Sequence, residues 1–292
     1  MCRLFGMHAG TTPAKATFWL LKAPDSLSVQ SHREPDGAGI GVFRGHGTPL
    51  VTKQPMAAWQ DRVFARAARE LESTTFLAHV RYASTGAHTT VNTHPFEQDG
   101  RLFAHNGTFG GLEILDGRLA ELGSRHLVLG QTDSERMFAL ITAEIRRHGG
   151  DVAAGIRAAV AWIAENLPVY SLNLIVTSGT EVWALRYPAT HELYVLPRPA
   201  GGHTRGAHLE GKSHRIQVHS QALAERPAVI IATERMDPDP GWRLMEPGEL
   251  LHIDPQLRVH SSYPVGATPA HPLTLADLDP VAAASQHPET VR

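Results

Sequence analysis

Runs of apolar residues, some alternating with polar ones and some recurring every fourth position, divide the chain into strands toward both ends and helices in the middle. The first run, CRLFGMHAG, is short, apolar and closed by glycine, which suits a strand. AKATFWLLKAP predicts a short helix stopped by Pro24. GAGIGVFR and PLVTKQ predict two strands joined by the glycine-rich GHGT, a hairpin signal. In AAWQDRVFARAARELE, Trp59, Val63, Ala67 and Leu71 stand four apart and predict one face of an amphipathic helix. Strands resume with TFLAHVRYA and RLFAHN.

SERMFALITAEIRRHGG and DVAAGIRAAVAWIAENLP then predict two helices, separated by Gly149 and Gly150 and stopped by Pro168. YSLNLIVTS, EVWALRYP, HELYVLP, AVIIATE and ELLHID predict a closing set of strands. Between them RPAGGHTRGAHLEGKSHR reads as an exposed loop. Residues 1–262 are expected to form one domain. Residues 263–292, rich in Pro and Ala without a period, are expected to form a loosely attached or disordered tail. Strands, then helices, then strands predict layered sheets with helices outside, not a doubly wound parallel sheet.

Composition narrows the function class. With 292 residues and 42% hydrophobic side chains the chain can bury a sizeable core. Its 27 basic and 29 acidic residues leave a formal charge of -2, so neither a nucleic-acid footprint nor an anionic membrane surface is indicated. No apolar run approaches the roughly 18 residues of a membrane span, and no leader pattern opens the chain; a cytoplasmic protein is expected. The 18 histidines are dispersed, without HxH, HExxH or paired-cysteine spacing, so no metal site and no cofactor are expected.

Cys2 is the only cysteine, which excludes an internal disulfide and fits a reducing compartment. It is either a small buried hydrophobe or a nucleophile. If Met1 is removed, its own α-amine becomes a base for its thiol, because that amine has a reference pKa of about 7.7–8.0. A catalytic Cys2 then needs an oxyanion donor pair, a cation for a carboxylate and an anion for an ammonium. Asn106 and Gly107, directly after a strand, offer a carboxamide and a backbone N–H, although Asn-Gly is also a common turn. Arg81 ends an apolar strand, where a guanidinium can grip a carboxylate through two parallel bonds or can simply meet solvent. Asp133, just before a helix, is either the anion or an N-cap; capping can equally fall to Thr132 or Ser134.

Taken in order, MC, SHREPDGAGIGVF, AHVRYASTG, NTHPF, FAHNG and QTDSE resemble the class II glutamine amidotransferases of the N-terminal-nucleophile hydrolase superfamily. The resemblance implies an α+β fold, a four-layer αββα sandwich with two stacked, mainly antiparallel sheets between helix layers. It implies that Cys2 attacks a γ-carboxamide carbon, that Asn106 and Gly107 form the oxyanion hole, that Arg81 holds the α-carboxylate and that Asp133 holds the α-ammonium. His94 of NTHPF matches a recurrent histidine and is expected to orient groups beside the substrate pocket rather than transfer protons. Arg33 and Asp36 are expected to support the site structurally. His79 and His105 each precede a site residue in a strand and are expected to face away from it.

No phosphate-binding GxxxxGK[ST] loop is present, and no synthase domain is expected after the amidotransferase domain. The closing stretch AVIIATERMDPDPGWRLMEPGELLHID is similar to that of stand-alone members, including γ-glutamyl hydrolases of ergothioneine biosynthesis and of glutathione breakdown. The expected partner is a small-molecule γ-glutamyl substrate. The alternatives are a glutaminase subunit that passes ammonia to a separate synthase, and a non-catalytic regulatory module.

Overall fold

A computed structural model describes residues 2–83, 86–202, 226–266 and 268–286. Its first strands are β1 (Arg3–His8), β2 (Gly37–Arg44), β3 (Thr48–Gln54), β4 (Thr75–Arg81), β5 (Phe96–Gln98), β6 (Arg101–Phe109) and β7 (Pro168–Thr177). They are followed by β8 (Val182–Leu185), β9 (Tyr194–Arg198), β10 (Ala228–Ala232), β11 (Arg243–Leu244), β12 (Leu250–Ile253), β13 (Val259–Ser262) and β14 (His271–Pro272). One sheet runs β11-β9-β10-β1-β4-β2-β3; the other runs β13-β12-β8-β7-β6-β5, with β14 paired to β7. The pairings are antiparallel except that of β14.

Strand alternation sorts side chains into three apolar layers. Leu4, Leu77, Leu102, Ile175 and Ile231 meet between the sheets. Phe5, Met7, Ile40 and Phe76 point outward against Trp19, Leu20 and Phe64. After the helices α1 (Leu27–Gln30), α2 (Arg62–Glu70) and α3 (Leu112–Glu121) come α4 (Asp133–Arg147) and α5 (Val152–Asn166), against which Phe103, Leu172 and Leu174 point outward from the second sheet, with Phe103 and Phe138 stacked at 4.8 Å. The result is the expected four-layer αββα sandwich. The break between the two long helices falls at Gly149 and Gly150, both at positive φ.

Several local expectations are corrected. AKATFWLLKAP yields only a five-residue π-helical turn, Phe18–Lys22, closed by the Ala23 N–H on the Phe18 carbonyl. The helix in AAWQDRVFARAARELE covers Arg62–Glu70 and buries Phe64 and Ala68, while Trp59 and Val63 are exposed, so the inward face lies one residue further along than the four-apart pattern. A helix over Leu112–Glu121 has no counterpart in the sequence reading. Within the stretch expected as a loose tail, His271–Pro272 pairs with Pro168–Val169, and a helix over Pro280–Gln286 buries Ala282, Ser285 and Gln286. Most of the expected loop RPAGGHTRGAHLEGKSHR, from residue 203 on, lies outside the described residues, as do residues 287–292.

Candidate active site

The antiparallel register of β1 and β4 pairs Arg3 with Val80 and Leu4 with His79, which brings Cys2 to the end of β4 where Arg81 sits. There the half-buried Cys2 Sγ donates to the Tyr82 carbonyl oxygen at 3.4 Å and accepts from the Tyr82 N–H at 3.3 Å. Burial pushes the thiol pKa up; the hydrogen bond from Tyr82 and the Arg81 charge partly oppose it. A thiol so placed needs a base to become a thiolate near neutral pH.

Arg81 shares the inter-sheet face of β4 with Leu77 and His79, four and two residues before it. Its guanidinium donates to the Gly86 and Ala87 carbonyls at 3.3 and 3.4 Å. Burial lowers its pKa, and the acidic groups of Cys2, Asp36 and Asp133 act in the opposite direction. Asp36 holds the chain on either side of the Arg81–Tyr82 peptide: its N–H donates to the Arg81 carbonyl at 3.0 Å, and Oδ2 accepts from the Ala83 N–H at 2.8 Å. That is the structural support expected of it. Arg33, by contrast, points to Glu234, 3.1 Å away.

The second sheet supplies Asn106. Leu102 and Ala104 of β6 face the inter-sheet core, so Asn106, next in the alternation, faces the same way. It is buried and its Nδ2 has no hydrogen-bond partner. The strand neighbour across from it, Asn173, is fully engaged: Nδ2 donates to the His191 and Glu192 carbonyls and Oδ1 accepts from the Tyr187 N–H. Of two adjacent buried carboxamides, only that of Asn106 keeps a spare donor. Gly107 is required by packing, since a Cβ there would overlap the Ser171 carbonyl of β7.

Asp133 opens α4. Thr132 caps the helix, its hydroxyl accepting from the Glu135 N–H at 3.2 Å. Asp133 Oδ1 accepts from the Ser134 N–H at 2.7 Å and from its hydroxyl at 3.2 Å, while Oδ2 is buried without a partner. His105, on the helix-facing side of β6, ties this turn to the sheet through a 2.9 Å bond to Ser134 Oγ. As expected, it faces away from Asn106.

His79 does not face away from Arg81, because it stands two residues before it and therefore on the same face. Its ring lies 4.2 Å from that of His94, which in turn meets Phe96 at 4.6 Å. The 93–96 segment reaches this position by crossing β2 at Gly39, where a Cβ would overlap the His94 carbonyl, and Lys53 Nζ anchors it through the Thr93 and Pro95 carbonyls. Neither ring has a hydrogen-bond partner, and burial lowers the His79 pKa to about 3 and that of His94 well below 6.5. Both are neutral near pH 7, which suits an orienting role for His94 better than proton transfer. Among the described residues no cluster of His, Cys, Asp and Glu could hold a metal ion.

Residues 1–266 match the family described as glutamine amidotransferases class-II. The chain belongs to that family. A Methanocaldococcus jannaschii protein without a characterised function is 30% identical over 78% of this chain, and the match spans 63% of that protein's own length. The gamma-glutamyl-hercynylcysteine sulfoxide hydrolase of Mycolicibacterium smegmatis is 28% identical over 76% of this chain and 83% of its own. The solved structure of a glutamine aminotransferase class-II domain protein from Silicibacter pomeroyi covers 90% of this chain and 99% of its own, with a TM-score of 0.59 at 20% identity, a likeness of fold. No helix among the described residues is long and apolar enough to cross a membrane.

The sequence reading missed Asn173 and the facing of His79. A lone Asn inside the apolar run YSLNLIVTS was a usable signal for the first, since a buried carboxamide must find partners. The parity of a strand was the signal for the second.

Proposed function

We propose that the enzyme is a γ-glutamyl amidohydrolase with Cys2 as nucleophile. The observation that carries this reading is that two buried polar atoms are left spare, a donor at Asn106 Nδ2 and an acceptor at Asp133 Oδ2, and that the Asp133 charge reaches Arg81 at the strand end beside Cys2. A γ-glutamyl group complements that set: Arg81 takes the α-carboxylate, Asp133 the α-ammonium, and Asn106 with the Gly107 N–H the developing oxyanion.

With Met1 removed, the Cys2 α-amine accepts the thiol proton as the sulfur bonds to the γ-carbonyl carbon and the carbonyl π pair moves to oxygen. Collapse of the tetrahedral adduct breaks the C–N bond, and the proton leaves with the amine. Water then attacks the thioester, the C–S bond breaks, the thiol regains its proton and glutamate departs. The leaving amine is ammonia from glutamine or a larger amine from a γ-glutamyl conjugate; the likeness to a γ-glutamyl conjugate hydrolase supports the second.

The test is glutamate release from glutamine and a panel of γ-glutamyl compounds, with the wild type and Cys2→Ala. The reading predicts turnover of at least one compound by wild type alone and none by Cys2→Ala. Equal turnover by both proteins overturns it. Turnover of glutamine only when a synthase partner is added favours an ammonia-donating subunit instead.

A further inference from the structure

The strand end that carries Cys2 has a second face. Arg3 points away from the inter-sheet core and is buried, and its Nη2 lies 2.5 Å from Glu234 Oε1 and 3.2 Å from Glu34 Oε1. Its Nη1 donates to the carbonyl oxygen of Cys2 itself, at 3.4 Å. Glu234 is held there because Thr233 continues β10 beside Leu4: the Leu4 N–H donates to the Thr233 hydroxyl at 3.3 Å, and the Thr233 N–H to the Leu4 carbonyl at 3.3 Å. Arg33 closes the outer side, 3.1 Å from Glu234 Oε2 and 3.7 Å from Asp25 Oδ1.

Within this network Glu34 is the anomaly. It is fully buried, and neither carboxylate oxygen accepts a directed hydrogen bond although Arg3 lies in ion-pair range. A buried carboxylate with unfilled acceptor capacity is costly unless a further cation or donor completes it. The mechanism creates such a group on the residue next to Arg3: the Cys2 α-amine becomes an ammonium whenever it takes the thiol proton.

We propose that Glu34 is a positioning residue for the Cys2 α-amine, its carboxylate holding the ammonium that forms as the thiol is deprotonated. This rests on the reading of Cys2 as an N-terminal nucleophile. No atom is transferred to Glu34. The proton moves from Sγ to the amine and from there to the leaving nitrogen, and the carboxylate stabilises the charged intermediate position. Arg3 holds Glu34 through Nη2 and the Cys2 carbonyl through Nη1, so one guanidinium ties the carboxylate to the residue that carries the amine.

Burial raises the Glu34 pKa to about 7 against the opposing charges of Arg3 and Arg33, with Glu234 raising it further. The other titratable groups around it are the Cys2 thiol and, beyond Arg33, Asp25. The anionic form, present above pH 7, is the one that assists; protonation below pH 7 removes it.

The experiment is the pH profile of kcat and KM from pH 5 to 9 for wild type, Glu34→Gln and Glu34→Asp, with intact mass confirming the same processed N-terminus in each. The proposal predicts that Glu34→Gln lowers kcat about tenfold at pH 8, one pK unit of amine stabilisation. It predicts an unchanged KM, convergence of the two profiles below pH 6, and an acid limb in Glu34→Asp displaced from that of wild type. Parallel profiles at every pH, or a loss carried by KM, overturn it. If Glu34→Gln does not fold, an Asp profile identical to wild type overturns it and a displaced limb supports it. Activity in Cys2→Ala overturns the underlying reading, whatever the Glu34 variants do.

Discussion

The Thr132 hydroxyl, and not the neighbouring Asp133 carboxylate, caps α4, leaving Asp133 Oδ2 buried and without a partner. The two residues therefore separate in their effects. Asp133→Ala is expected to raise KM for a γ-glutamyl substrate at least tenfold with a melting temperature close to wild type. Thr132→Ala is expected to cost about 1 kcal/mol of stability, the usual value of a lost cap, with KM little changed. A melting temperature that falls more for Asp133→Ala than for Thr132→Ala would return the capping role to Asp133.

Asn106 and Asn173 provide a second separation. Asn106→Ala removes the spare donor and is expected to lower kcat by about 10²–10³, as for other oxyanion donors, while thermal stability stays near wild type. Asn173→Ala breaks three bonds to the 187–192 segment. It is expected to lower the melting temperature before it lowers kcat. Steady-state kinetics and a thermal melt on the two proteins decide the matter, and a full-rate Asn106→Ala removes it from the oxyanion hole.

How much of this was legible beforehand follows from the range of the interactions. The strands and the α4–α5 pair were readable because apolar period, Gly149–Gly150 and Pro168 are local signals. The candidate site residues were readable only as a chemical set, because the proposed role of Cys2 as nucleophile calls for a cation, an anion and an oxyanion donor. Which Asn is spare and which is spent was not, since it depends on the loop near His191 folding back onto β7. Nor was Glu34, whose meaning comes from Arg3 and Glu234, the latter 200 positions away in the chain. The inward face of Arg62–Glu70 was misplaced because Trp59 precedes the helix and packs on His32 at 4.6 Å instead of entering the core.

Gly107 offers a test of packing independent of chemistry. A Cβ there would overlap the Ser171 carbonyl and crowd the His105 ring, whereas at Gly110 the nearest atoms are ordinary contacts with Pro168 at 3.6 Å and beyond. Gly107→Ala is expected to lose about 1–3 kcal/mol, the cost of overpacking, and to lower kcat by displacing Asn106. Gly110→Ala is expected to melt within a few degrees of wild type. Urea denaturation of both, read beside wild type, checks the difference; equal midpoints for the two variants refute the packing argument.

The histidine pair His79–His94 makes stability depend on pH. Burial first, then the Arg81 charge, lowers the His79 pKa to about 3, below the ordinary value of 6.5. Between those values the unfolded chain binds a proton that the folded chain does not, so stability rises with pH. The contribution is complete above about pH 6.5 and is lost as pH falls toward 3, at up to about 1.4 kcal/mol per pH unit for one histidine. His94 and His105 are shifted in the same direction by burial and add to the slope. Urea denaturation at pH 5.0, 6.0 and 7.5 is therefore expected to show a steep acid loss in wild type and a slope shallower by about one proton in His79→Gln. The substitution also leaves a packing defect against His94, but that loss is the same at every pH and moves only the offset. Equal slopes in the two proteins would mean that His79 is already protonated in the fold, and with it that the ring pair beside Arg81 is not neutral.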